Sequence, residues 1–154
     1  MSLDPAGGAA AINTEYQATI LFPQVGDYPA EFATAYDDYA KAGVVTGALN
    51  TGGDKSIIEA AVRAAETTPA ALGEAFAQYW ATVAVLPAPP NLSSVNDAAN
   101  LGGVFAAAVA ASVRDTESVP YFGEFITNVE AAAKAVVWAI TPPPPAVPFT
   151  SGVT

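Results

Sequence analysis

Asp37 and Asp38 form the densest carboxylate pair in the chain. Paired carboxylates are the simplest start for a divalent-metal site or for acid–base work. Adjacent helix positions diverge by about 100°, so these two do not converge on one ion and instead describe a solvated helix face. Gly52-Gly53-Asp54-Lys55-Ser56 shares the Lys-Ser ending of a phosphate loop. That loop needs G-x-x-x-x-G-K-[ST] after a strand, whereas here Asp54 separates the glycine from the lysine and its carboxylate repels phosphate. A helix N-cap is the expected role. Glu74, Glu124 and Glu130 lie in helices of apolar pattern. A buried carboxylate there would be a raised-pKa acid, but the outward helix face is the expected location. Tyr79-Trp80 and Trp138 suit an aromatic ligand site or a protein interface. Core packing is expected of Tyr79, and Trp80 flanks its stripe, at the edge or in an interface.

The chain contains no Cys and no His. Disulfides, thiolate nucleophiles, Cys/His zinc sites, Ser-His-Asp triads and imidazole bases are thereby excluded. An enzyme would have to work with carboxylates, Lys or Tyr alone, and no converging set is visible. The expectation is a non-enzymatic protein with no catalytic residues, no cofactor and no metal. The formal net charge is −10, and the basic residues Lys41, Lys55, Arg63, Arg114 and Lys134 are scattered. No basic stripe exists to neutralise phosphates, so no direct nucleic-acid binding is expected. The same acidity disfavours anionic membranes. Met1 to Pro5 shows neither the basic nor the apolar region of a signal peptide. The longest apolar stretch, Leu101 to Val113, is too short for a membrane span.

The elements that would position these residues are mostly helices. With 52% apolar residues, many of them Ala, and 13% charged, the chain can bury a core and favours close-packed helices. Residues 1–13 are small and unpatterned and read as an N-terminal arm. From Ile12 to Phe22 the apolar positions fit both a helix and a strand. Pro29 stands in the first turn of a helix carrying Phe32, Tyr36 and Tyr39 on one face, with Gly43 as its stop. Asp54 precedes a helix with Ile57, Ile58, Ala61, Val62 and Ala65 on one side and the pair Glu59/Arg63 on the other. Thr68-Pro69 restarts the chain into the strongest stripe, Leu72, Phe76, Tyr79, Val83 and Leu86. Ser94 to Asp97 resembles a capping box before a helix with Val95, Ala98, Gly102, Phe105, Val109 and Val113. A last helix follows Pro120 and runs to Ile140, apolar on more than one face and so expected at the centre. Pro142, Pro143, Pro144 and Pro145 head a polyproline tail over 141–154, read as a structural strap or as a ligand for a Pro-binding groove. No internal repeat of fixed period is visible. The expected fold is all-α, a bundle of about five helices over 14–140 between two irregular arms.

Tyr79-Trp80-Ala81-Thr82-Val83 leading into Pro87-Ala88-Pro89-Pro90, and Val119 to Ile126 leading into Val137-Trp138, resemble small helical structural proteins of tailed-bacteriophage particles over about residues 28–140. Terminal arms of this composition become ordered when tied down, which fits docking on neighbouring subunits. The resemblance implies a non-enzymatic virion protein, a capsid decoration, neck or tail-associated subunit. Its partners would be other virion proteins or copies of itself, in an oligomeric assembly. Trp80, Trp138, Pro142, Pro143, Pro144, Pro145 and Phe149 are the candidate interface residues. Two other readings stand beside it: a cytoplasmic or secreted helical interaction or adaptor module, and a membrane-active helical protein prompted by Leu101–Val113 and a mean hydropathy of +0.33.

Overall fold

Caps and proline positions set the helix starts as the sequence suggests. The Asp54 carboxylate accepts from Ser56 N at 3.1 Å, and the Thr68 hydroxyl accepts from Ala71 N at 3.1 Å. In the computed structural model, which describes residues 2–21, 27–45, 48–64, 68–86, 93–112, 119–142 and 147–154, these caps open two of six α-helices. In chain order the elements are α1 (Pro5–Leu21), α2 (Tyr28–Lys41), β1 (Val44–Val45), β2 (Ala48–Asn50), α3 (Lys55–Arg63), α4 (Pro69–Thr82), β3 (Val85–Leu86) and β4 (Ser93–Asn96). A 3-10 turn (Ala98–Leu101), α5 (Gly102–Ser112), α6 (Val119–Lys134), β5 (Val137–Thr141) and β6 (Phe149–Gly152) follow.

The fold is therefore predominantly helical but not all-α. Two three-stranded antiparallel sheets, β1-β2-β3 and β4-β5-β6, occupy segments expected as turns, helix ends or tail. Val44-Val45 and Val85-Leu86 each follow the end of a helix, where β-branched and apolar residues favour the pleated conformation. The expected capping box at Ser94 is strand β4, and the following helical segment starts only after Asp97. The last helix ends at Lys134, and Val137 to Thr141 then alternates exposed and buried with the period of a strand. The expected N-terminal arm is also corrected. Residues 5–13 belong to α1, which settles the ambiguous 12–22 segment as helix up to Leu21. The Asp4 carboxylate accepts from Gly7 N at 3.1 Å, and Ile12 is fully buried, so this Ala-rich run is both capped and anchored. In the tail, Phe149 to Gly152 pair with β5, from Ile140↔Phe149 to Val137↔Gly152. Pro143 to Pro145 lie outside the described residues.

The helices form a ring. Each packs on the next, from α1 to α6, and α1 closes on α6. The closest approach is α4 on α5. A Cβ at Gly73 would lie 2.3 Å from the backbone N and Cα of Ala106, so only glycine permits that distance. The strands follow the same order. β2 pairs with β3, the Ser94 hydroxyl of β4 accepts from Val85 N of β3 at 3.2 Å, and an isolated bridge, Val45↔Val153, joins the C-terminal strand to β1. The core inside both rings is aromatic. Ring centroids run Phe32–Phe125 (6.2 Å), Phe125–Phe76 (5.8 Å), Phe76–Tyr36 (4.6 Å), Tyr36–Tyr79 (5.4 Å), Tyr79–Trp80 (5.9 Å) and Trp80–Trp138 (6.2 Å). These tilted and edge-on pairings suit the ring quadrupoles and add to the burial of area.

Candidate functional site

The polar groups with the most chemical potential lie inside this aromatic core. Asp37 of α2 is 5% exposed and Glu130 of α6 is 8% exposed. Tyr79 Oη donates to Asp37 Oδ1 at 2.7 Å, Gly53 N donates to the same oxygen at 3.2 Å, and Lys41, one turn on, pairs with Oδ2. Tyr39 Oη donates to Glu130 Oε2 at 2.9 Å, and Lys134, again one turn on, pairs with Oε1. Each carboxylate thus joins a lysine of its own helix to a tyrosine of another. Trp80 Nε1 donates to Tyr36 Oη at 2.9 Å.

Burial pushes the phenols of Tyr36, Tyr39 and Tyr79 up from their ordinary value, with the neighbouring Tyr36 and Glu130 adding at Tyr39 and the Asp37 bond adding at Tyr79. A phenol held protonated and already donating to a carboxylate serves as a fixed cross-link, not as a proton acceptor. Among the described residues no buried side-chain nitrogen or oxygen lacks a partner, and no cluster of three or more acidic side chains could hold a metal ion. Sequence reasoning assigned both Asp37 and Glu130 to outward faces. Asp38 is exposed, as the divergence of adjacent positions requires, while Asp37 points inward because Tyr79 and Gly53 supply donors there. The signal that could have located both is the shared i,i+4 lysine beside each acid, together with a surplus of core tyrosines.

The expected interface tryptophans are core residues. Trp80 and Trp138 are both fully buried. Helix α4 is enclosed by α3 and α5, which takes Trp80 inward along with the stripe, and the alternation of β5 turns Trp138 to the inner face. Pro142 is half-buried, and Phe149 is 40% exposed at the end of β6. Among the described residues the large exposed apolar side chains are Val104 on α5, 45% exposed, and a group on and beside the second sheet. Val95, directly opposite Ala139, is 68% exposed, and Val137 is 42% exposed one pleat along β5. Val147, before β6, is also exposed.

A groove of about 530 Å³ lies between α1 and α2. Gly7, Gly8 and Ala11 line one side and Ala30 and Ala35 the other, with the carboxylates of Asp4, Glu31 and Asp38 around it. Among the described residues Lys134 pairs with Glu130 and Arg63 with Asp27 and Glu59, away from the groove, whereas Lys41 lies 3.9 Å from Asp38 as well as pairing with Asp37, and Lys55 donates to the Thr34 hydroxyl on the groove's rim. No helix among the described residues is long and apolar enough to cross a membrane. Comparison of the chain with protein-family models, with curated proteins and with solved structures returns no match.

Proposed function

We propose that this protein is a non-enzymatic structural component of a multi-subunit particle, the tailed-bacteriophage virion that its sequence resembles, and that it binds neighbouring subunits or copies of itself. The observation that carries the reading is the outer face of β4-β5-β6, where Val95, Val137 and Ala139 present an apolar strip that the fold leaves uncovered. The interior supports the same reading. Its buried carboxylates and the phenols of Tyr39 and Tyr79 are spent on joining helices to one another, and a cross-linked interior suits a part that transmits load. Native mass by light scattering, measured over a range of concentration, tests the proposal. Growth beyond one chain that is lost on charging the strip supports it, and a single chain at every concentration opposes it.

The α1–α2 groove favours a second reading, an adaptor for a basic segment. Its floor is small and its surroundings carry three carboxylates, which suits an extended lysine or arginine side chain. Titration with an oligolysine peptide at low and high salt tests it. Binding that salt weakens, and that Asp38→Asn reduces, supports the adaptor.

A further inference from the structure

Helix α2 with its following strands, α4 with its own, and α6 with its own can be laid over one another residue by residue. With Tyr39 placed on Tyr79, Phe32 falls on Leu72, Ala33 on Gly73, Tyr36 on Phe76, Ala40 on Trp80 and Val45 on Val85. These positions are buried in both segments apart from the half-buried Leu72. With Asp37 placed on Glu130, Phe32 falls on Phe125, Tyr36 on Val129, Lys41 on Lys134 and Val45 on Trp138. The burial pattern is the same three times, and each helix is preceded by a partner helix and followed by two short strands.

The hydrogen bonds repeat with it. Asn50 ends β2 and donates from Nδ2 to Ala40 O at 2.7 Å and to Gly43 O at 3.3 Å, while its Oδ1 accepts from Gly52 N at 3.0 Å. Asn96 ends β4 and donates from Nδ2 to Trp80 O at 2.8 Å and to Val83 O at 3.2 Å, while its Oδ1 accepts from Ala98 N at 3.1 Å. Trp80 and Val83 are the counterparts of Ala40 and Gly43. Each asparagine therefore closes the carboxyl end of its unit's second helix and turns the chain toward the next unit two residues on. Asn50 lies opposite Val85 and Asn96 opposite Trp138. Val153 lies opposite Val45, the same place at the third junction.

We infer that the chain is three copies of one ααββ unit, α1–β2, α3–β4 and α5–β6, arranged head to tail in a closed pseudo-threefold ring, with both chain ends at a seam built like the two internal junctions. The polar cross-links obey this cycle. Asp37 of the first unit accepts from Tyr79 of the second, and Glu130 of the third accepts from Tyr39 of the first, where Tyr39 and Tyr79 are counterparts. The remaining junction, second to third, has Ala77 and Ala132 at the corresponding places and Ala81 in place of the lysine. It is joined instead by the close α4–α5 packing at Gly73. At the seam, Thr154 N donates to Val44 O at 2.9 Å, and Thr154 O accepts from Val44 N at 3.1 Å and Leu3 N at 3.3 Å. The occupant of the first unit's open edge is thus the third unit of the same chain. The units are unequally spaced along the sequence, so no fixed period betrays them.

Two measurements on the full chain test the inference. Amide hydrogen exchange of the native protein is expected to protect Val44 and Thr154 to within about tenfold of Val137, an amide held across the second junction by Asp97. A circular permutant with Thr154 linked to Leu3 by a short Gly-Ser segment and new ends between Glu66 and Thr67 is expected to keep native helicity and to melt within about 4 °C of the parent. Exchange of Val44 and Thr154 at the rate of a frayed end would overturn the closed seam even if the permutant failed to fold. Protected amides in the parent with a permutant that has lost most of its helicity would overturn the equivalence of seam and junction.

Discussion

Tyr39 and Glu130 meet across the seam of the ring, the phenol of α2 donating to the carboxylate of α6 at 2.9 Å in surroundings where both side chains are almost fully buried. Tyr79 and Asp37 meet in the same manner, at 2.7 Å. Removing either hydroxyl leaves a buried carboxylate oxygen short of a donor. Tyr39→Phe is expected to lower stability by about 1–3 kcal/mol, the cost of an unsatisfied buried acceptor, and Tyr79→Phe by less, because Gly53 N still donates to Asp37 Oδ1. Denaturant unfolding monitored by circular dichroism measures this. Values near zero for both would show that the bonds do not hold the helices together.

The three buried tyrosines make the protein sensitive to alkali. Their folded-state pKa values lie above the ordinary 10.0. Below pH 10 folded and unfolded chains bind the same protons at these sites, and the stability contribution is complete. Above it the unfolded chain loses protons that the folded one keeps, so stability falls as pH rises, by up to about 1.4 kcal/mol per pH unit for each tyrosine. Tyrosinate absorbance of Tyr36, Tyr39 and Tyr79 is expected to appear only together with loss of helical ellipticity. Titration of all six tyrosines near pH 10 with the helices intact would contradict it.

Gly73 and Ala106 are in backbone contact, and Gly73→Ala is expected to push α4 from α5 and destabilise by about 1–3 kcal/mol. Gly103→Ala is a suitable control, since a Cβ there meets nothing within 4 Å. It should be neutral or slightly stabilising, because alanine favours the helix. Thermal melts of the two variants should move in opposite directions or differ by several degrees.

The helix starts at Lys55 and Pro69, the Phe32/Tyr36/Tyr39 face and the Phe76/Tyr79/Val83 stripe were legible in the sequence, because caps and a 3.6-residue period are local properties. The strands were not. Two-residue strands such as Val44–Val45 carry no period, and their pairing depends on contacts far along the chain, Val45 with Val153 above all. The tryptophans were misplaced because an amphipathic ring fits an interface and a core equally well, and only the crossing of helices decides. The acids were misplaced because Asp37 and Glu130 are buried by partners on α4 and α2 that no local pattern reveals. The same long-range dependence hides the units: Asn50 and Asn96 look like loop residues until their identical bonds are seen.

Trp80 and Trp138 sit edge to face at 6.2 Å in the core. Trp138→Ala is expected to cost about 3–5 kcal/mol, the range for deleting a buried aromatic. Val147→Ala, at an exposed position, should stay within about 0.5 kcal/mol, and Phe149→Ala, at a position only 40% exposed, should fall between the two. Equal losses at Trp138 and Phe149 in chemical denaturation would place the stabilising contacts elsewhere.

The most direct test of the assembly proposal is the native mass of the purified protein and of a Val95→Lys, Val137→Lys variant, followed by light scattering as concentration rises. Both positions lie on the outer face of β4-β5-β6, so the variant should keep its fold and its helicity. The parent is expected to grow beyond a single chain, and the variant is expected to remain one chain throughout. A parent that stays a single chain at every concentration, or a variant that grows as the parent does, would contradict the proposed role of that face.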